Sequence, residues 1–181
     1  GLENSTNAYG CNGLTEVTDM IFSVKYTISN KLLAESNLRS YYTGSDGEFI
    51  YKNNYTLPIG FAINEQSASK MNFMTANNGI ENQNLMIQNI TGISDVFTVV
   101  DEFPNESECT IKPQKDGHLY LIAANQSVDY ITVTLNNSDK SYSYSNLKSN
   151  NRIIDVGYVT KSDTVEVTAE TGMNLTAYML D

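Results

Sequence analysis

Tyr130-Ile131-Thr132-Val133-Thr134-Leu135 sets the fold class of this chain. Ile131, Val133 and Leu135 fall on one side of an extended backbone, and Tyr130, Thr132 and Thr134 on the other. That two-residue period belongs to a strand with one dry face. Similar runs follow one another through the second half of the chain, at 96–100, 109–112, 118–123, 142–144, 152–159, 164–168 and 175–180. Polar turn signals separate them: Lys115-Asp116-Gly117, Asn136-Asn137-Ser138-Asp139, Lys161-Ser162-Asp163 and Thr171-Gly172. Strands spaced about ten residues apart, with polar turns between, predict a mainly β fold: an antiparallel, jelly-roll-like β-sandwich.

The first half adds fewer strands and one helix. Phe22, Val24, Tyr26 and Ile28 alternate with Ser23, Lys25, Thr27 and Ser29, which predicts a strand over 22–29, preceded by a helical turn at 17–21. Tyr41-Tyr42-Thr43 runs into Gly44-Ser45-Asp46-Gly47, a hairpin signature, and a strand follows at 48–52. Asn53-Asn54 bends the chain, and Ile59, Phe61 and Ile63 alternate through a second strand at 59–64. One amphipathic helix is expected at 81–91. Asn77 or Asn78 caps it, Glu81 sits in its first turn, Gly92 ends it, and Met86, Ile90 and Ile93 mark the packed face. Met71, Phe73 and Met74 read as anchors of the loop before it. Residues 1–15 form a polar N-terminal lead-in. Residues 16–181 form a single sandwich domain with a helical insertion near 66–92.

Composition narrows the function. A chain of 181 residues is long enough to bury a core without a metal or disulfide. Its net charge of −10, with scattered Lys and Arg, would repel phosphate backbones, so no nucleic-acid partner is expected. Twelve Tyr stand against six Phe and no Trp, which suits half-buried strands whose rings keep a wet edge. No apolar run is long enough to span a bilayer as a helix. The start at Gly1-Leu2, without Met or a signal peptide, reads as an excised piece with Gly1 left by a tag. Cys11 and Cys109 allow one pairing, worth about 4 kcal/mol in an oxidising exterior; the other reading is two separate buried thiols.

No residue set announces a reaction. The single histidine, His118, lies beside an Asp-Gly turn and reads as an exposed turn residue, with no nucleophile elbow in the chain. One His and two distant Cys make no zinc set, so neither metal ligands, catalytic residues nor cofactors are expected. Asp46, Asp116, Asp139 and Asp163 lie in turns that could offer oxygen to calcium, and read as ordinary turn residues. Asp101, Glu102, Glu106 and Glu108 cluster around Pro104 as a solvated loop, not as a facing carboxylate pair. Sugar binding is the alternative with available residues: Tyr41, Tyr42, Tyr51 and Tyr55 are candidate stacking rings, beside abundant Asn.

Four segments carry a family likeness. They are Val24-Lys25-Tyr26 with Ile28-Ser29; Tyr51-Lys52-Asn53 followed by Leu57-Pro58-Ile59-Gly60-Phe61; Asn82-Gln83-Asn84-Leu85 with Thr91-Gly92; and Asp116-Gly117-His118-Leu119-Tyr120-Leu121. In this order they resemble the extracellular region of YfhO-type bacterial membrane proteins. Those are polytopic, glycosyltransferase-like proteins linked to glycosylation of envelope polymers such as lipoteichoic acid. The resemblance implies a non-catalytic accessory domain on the extracytoplasmic face of a bacterial cell membrane. Its partners would be the membrane-embedded part of the same polypeptide and a cell-wall glycan. No catalytic motif of the family falls within this chain. The alternative is a free-standing carbohydrate-binding or adhesive sandwich.

Overall fold

A computed structural model describes residues 15–29, 33, 39–70, 76, 78–124, 128–135, 140–145, 147 and 153–181. The fold is mainly β and antiparallel, as the alternation predicts. The described elements run α1 (Glu16–Ile21), β1 (Tyr26–Ser29), β2 (Arg39–Thr43), β3 (Phe49–Asn53), α2 (Glu65–Lys70), α3 (Gly79–Thr91), β4 (Phe97–Ile111), β5 (Gly117–Ala123), β6 (Ile131–Leu135), β7 (Lys140–Tyr144), β8 (Ile153–Val159) and β9 (Val165–Leu180). Strands β1, β3 and β2 make a small sheet with β3 in the centre. The other six make a larger, curled sheet in the order β7-β6-β9-β5-β8, with β4 on the second edge of β9.

Strand β9 is the spine of the larger sheet. One edge is paired with β4 from Val165 to Leu180. The other is shared, β6 taking Val165 to Ala169 and β5 taking Leu175 to Leu180. The Thr171-Gly172 signal is therefore not a turn; 164–168 and 175–180 belong to one strand. Gly172 serves close approach instead, since a Cβ there would lie 2.6 Å from Asn105 Oδ1. The acidic stretch is likewise not a loop. Asp101 to Glu108 lie inside β4, where register shifts flank Asn105 (φ 58°) and Pro104 is tolerated because β4 is an edge strand.

Two apolar layers meet on β5. Leu119, Leu121 and Ala123 enter the main core with Val133, Val167, Leu175 and Met179. Tyr120 and Ile122 face the other way, into a second cluster with Val17 of α1, Ile80 of α3, Phe97 and Tyr178. Helix α3 forms as predicted: the Asn78 carboxamide accepts from Ile80 N–H and Glu81 N–H, and Gly92 closes the helix in the left-handed conformation. Its buried face carries Ile80, Gln83 and Met86, while Ile93 is exposed.

Two predicted strands differ. Only Tyr26–Ser29 of the 22–29 run is extended, because Ser23 (φ 59°) turns the chain out of α1. The 59–64 run forms no strand. Both edges of β3 are already taken by β1 and β2, and Ile59 stands 98% exposed. Met71, Phe73, Met74, the 136–139 turn and the lead-in before Thr15 lie outside the described residues.

Candidate functional site: a buried charged cluster

Four ionisable side chains from four elements converge on the helix-covered face of β5. Helix α1 supplies Glu16. Thr15 caps that helix through a reciprocal box with Thr18, and its hydroxyl donates to Gln83 of α3 at 2.5 Å. This holds α1 flat over β5, where Glu16 N–H also donates to the Tyr120 hydroxyl at 3.3 Å. His118 and Tyr120 are two apart on β5, so they share a face, and their rings stack at 4.7 Å. Arg39, the first residue of β2, reaches across from the small sheet. Asp155 comes from β8.

A bulge aims Asp155. Leu119 pairs with Gly157 and Tyr120 with Asp155, which leaves Val156 as the extra residue. Gly157 (φ 95°) accommodates the bend, and its N–H donates to Asp155 Oδ1 at 3.0 Å. Asp155 Oδ1 also lies 2.6 Å from His118 Nε2, and Oδ2 accepts from Arg39 Nη2 at 3.1 Å. Burial would raise the Asp155 carboxyl. The His118 hydrogen bond and charge, with Arg39, outweigh burial and hold it below the usual carboxylate range. An ionised carboxylate only accepts, so Nε2 of His118 carries the proton and donates it.

Glu16 is placed differently. Its side chain is about 1% exposed, yet neither carboxylate oxygen has a hydrogen-bond partner among the described residues. Oε1 lies 3.7 Å from Arg39 Nη1 and 3.5 Å from His118 Nδ1, and Nδ1 too lacks a hydrogen bond. Asp19 sits one turn along α1. Its carboxyl is pushed up to about 6, first by burial and then by the charge of Glu16. Ligand atoms of Glu16, His118 and Asp155 all lie within 4.8 Å of one another.

His118 is thus buried, not an exposed turn residue. Its Asp116-Gly117 turn is real, and Asp116 Oδ1 accepts from Lys161 N–H at 2.8 Å. However, α1 and α3 cover the face onto which His118 projects. A groove of about 610 Å³ runs beside it, walled by Val17, Ile21, Leu57 and Leu180, with His118 and Asp116 among its polar groups.

The four tyrosines do not form one platform. Tyr41 and Tyr42 are both 57% exposed, and as neighbours on β2 they point to opposite faces. Tyr51 is buried under the Arg39 guanidinium, its ring 5.9 Å from Tyr41. Tyr55 lines the groove, as does Tyr158. Asp163 caps its own turn through Thr160 N–H, and Asp46 lies in the exposed hairpin turn. Asp139 lies outside the described residues. Cys109 is a buried thiol in β4, pushed up to about 11 by burial and then by Glu106 and Asp101; its candidate partner Cys11 lies outside the described residues.

Sequence reading missed Glu16, Arg39 and Asp155 altogether. One usable signal was the run His118 to Ala123, whose nearly unbroken apolar character marks a strand covered on both faces. Any polar residue on such a strand needs a buried partner.

Among the described residues, no helix is long and apolar enough to cross a membrane. No curated protein and no solved structure matches this chain significantly. A family model described as bacterial membrane protein YfhO matches residues 1–180, so the chain belongs to the YfhO family of bacterial membrane proteins.

Proposed function

We propose that this chain is a non-catalytic extracytoplasmic accessory domain of a YfhO-type polytopic protein, serving glycosylation of a cell-envelope polymer such as lipoteichoic acid. The domain rests against the membrane-embedded part of the same polypeptide and helps to position the acceptor. An apolar rim carries this reading. Phe22, Leu57, Ile59 and Phe61 are 67%, 41%, 98% and 39% exposed. The 55–61 segment is tied to the end of α1, with Leu57 N–H donating to Met20 carbonyl at 3.0 Å and the Ser23 hydroxyl to Leu57 carbonyl. Neighbouring large apolar side chains left in water mark a contact surface. The described charged cluster is buried beneath α1, which supports a structural role for it.

Deuterium exchange tests the contact. Residues 55–61 should be protected in the full-length protein in lipid nanodiscs and exposed in the isolated domain. Equal exchange in both would refute the docking, and glycosyl transfer by the isolated domain would refute the accessory role. A second reading, a carbohydrate-binding module, is favoured by the exposure of Tyr41, Tyr42 and Tyr55. Glycan-array binding that is lost in Tyr41→Ala or Tyr55→Ala would support it.

A further inference from the structure

We propose that Glu16 and His118 hold a divalent transition cation, zinc in class, on the covered face of β5, with Asp155 as the positioning residue for the imidazole. The argument begins with one distance. Nδ1 of His118 and Oε1 of Glu16 are 3.5 Å apart. That is too long for a good hydrogen bond. Two ligands of one tetrahedral zinc, each about 2.1 Å from the ion, lie about 3.4 Å apart.

The other ring nitrogen fits the same assignment. Metal-bound histidines usually donate their second N–H to a carboxylate, which fixes the tautomer. Nε2 makes that bond to Asp155 at 2.6 Å and leaves the Nδ1 lone pair facing Glu16. Both Glu16 oxygens and Nδ1 are buried without hydrogen bonds among the described residues, a costly state unless something binds them. Asp19, three residues from Glu16 on the same helix face, has a buried oxygen in the same condition and adds negative charge to the site.

Arg39 does not fill this position. Its guanidinium hydrogen-bonds Asp155 and stays 3.7 Å from Glu16. Glu16, Asp19 and Asp155 set three carboxylates against Arg39 and a protonated His118, and a dication that replaces the Nδ1 proton closes the remaining deficit. An imidazole with carboxylates suits zinc better than calcium or magnesium, which take oxygen alone. His118 also lines the groove, which gives the ion a path in.

The test uses tag-free protein, because His118 is then the only imidazole. The protein is freed of metal with EDTA, dialysed and titrated with zinc chloride. Melting and the long-range proton–nitrogen spectrum of the imidazole are followed together. At a hundredfold excess over Kd the midpoint should rise by about 5–10 °C. The Nδ1 resonance should shift while Nε2 keeps its proton, and calcium or magnesium should do neither. Glu16→Gln should stay folded in EDTA and bind zinc at least tenfold more weakly; Asp155→Asn should weaken binding about 10–100-fold. An imidazole spectrum unmoved by millimolar zinc overturns the proposal, even if the melting point rises, since that rise would come from another site. If Glu16→Gln fails to fold, the wild-type imidazole spectrum decides alone.

Discussion

Replacing Arg39 with Met keeps the aliphatic stem and removes the charge that joins the small sheet to the large one. Three contributions disappear. The charge-assisted hydrogen bond to Asp155, at 3.1 Å, is worth about 1.5–3 kcal/mol. The guanidinium lies 5.4 Å from the Tyr51 ring centre, worth about 0.5–1 kcal/mol. Glu16 loses its nearest permanent cation while remaining buried, and breaking a buried pair costs about 3–5 kcal/mol in all. Asp155 keeps a quarter of its exposure and two other donors, which places the expected loss near the lower end, at about 3 kcal/mol. Urea unfolding near pH 7.5 should show that loss with an unchanged m-value. The melting point should fall by about 6–12 °C. Half-molar salt should not erase the difference, because the pair is shielded from solvent ions. In a double-mutant cycle with Asp155→Asn, the coupling should be about 1–2 kcal/mol. A loss below about 1 kcal/mol, or one abolished by salt, would make Arg39 an ordinary surface pair and refute the linkage between the sheets.

Four further outcomes are expected. Asp19 is raised to about 6, so its charge opposes folding above that pH and the penalty fades as pH falls toward the unfolded value of 3.8. In EDTA, Asp19→Asn should therefore stabilise by about 1–2 kcal/mol near pH 8, a figure reduced for partial exposure, and by much less near pH 4.5. Asp155 works with the opposite sign: its stabilisation is present above the ordinary carboxylate range and is lost as pH falls through its lowered value, which acid titration of the melting point should show. Asn78→Ala removes acceptors from Ile80 and Glu81 N–H and a donor to the Tyr178 hydroxyl, and should cost about 1–2 kcal/mol by urea unfolding. Gly172→Val would drive a side chain into Asn105, both its Oδ1 at 2.6 Å and its carbonyl oxygen at 3.1 Å, and should lower stability by about 2 kcal/mol or more in a melting assay.

What could be read from the sequence follows from how local each signal is. The Gly44–Gly47 turn, the Asn78 and Gly92 caps and the Ile131–Val133–Leu135 stripe are settled by neighbours in the chain, and they form as expected. The 59–64 alternation needed a free strand edge, and β1 and β2 leave none on β3. Pro104 and Gly172 both read as breaks. Each instead sits in a bulged or closely approached part of a long pair, a property of the partner strand and not of the residue alone. The charged cluster was the least legible, because Glu16, Arg39, His118 and Asp155 are far apart in sequence and meet only when α1 and β2 dock on the larger sheet. Its sole local hint was a histidine opening a strand too apolar to face water.

The place of β9 in the order of synthesis governs how the larger sheet can assemble. Residues 97–159 supply β4 to β8, but three of those strands, β4, β5 and β6, hydrogen-bond to β9, which follows them all. Until 165–180 have emerged, β4 and β6 have apolar faces and unmatched edges with no template, so the nascent domain needs protection from aggregation. Pairings such as Phe97 with Leu180 span about half of the domain, and closing such long loops is slow. Closure of the sheet is therefore a late event, and a stop codon before Val165 would leave β4, β5 and β6 without their common neighbour.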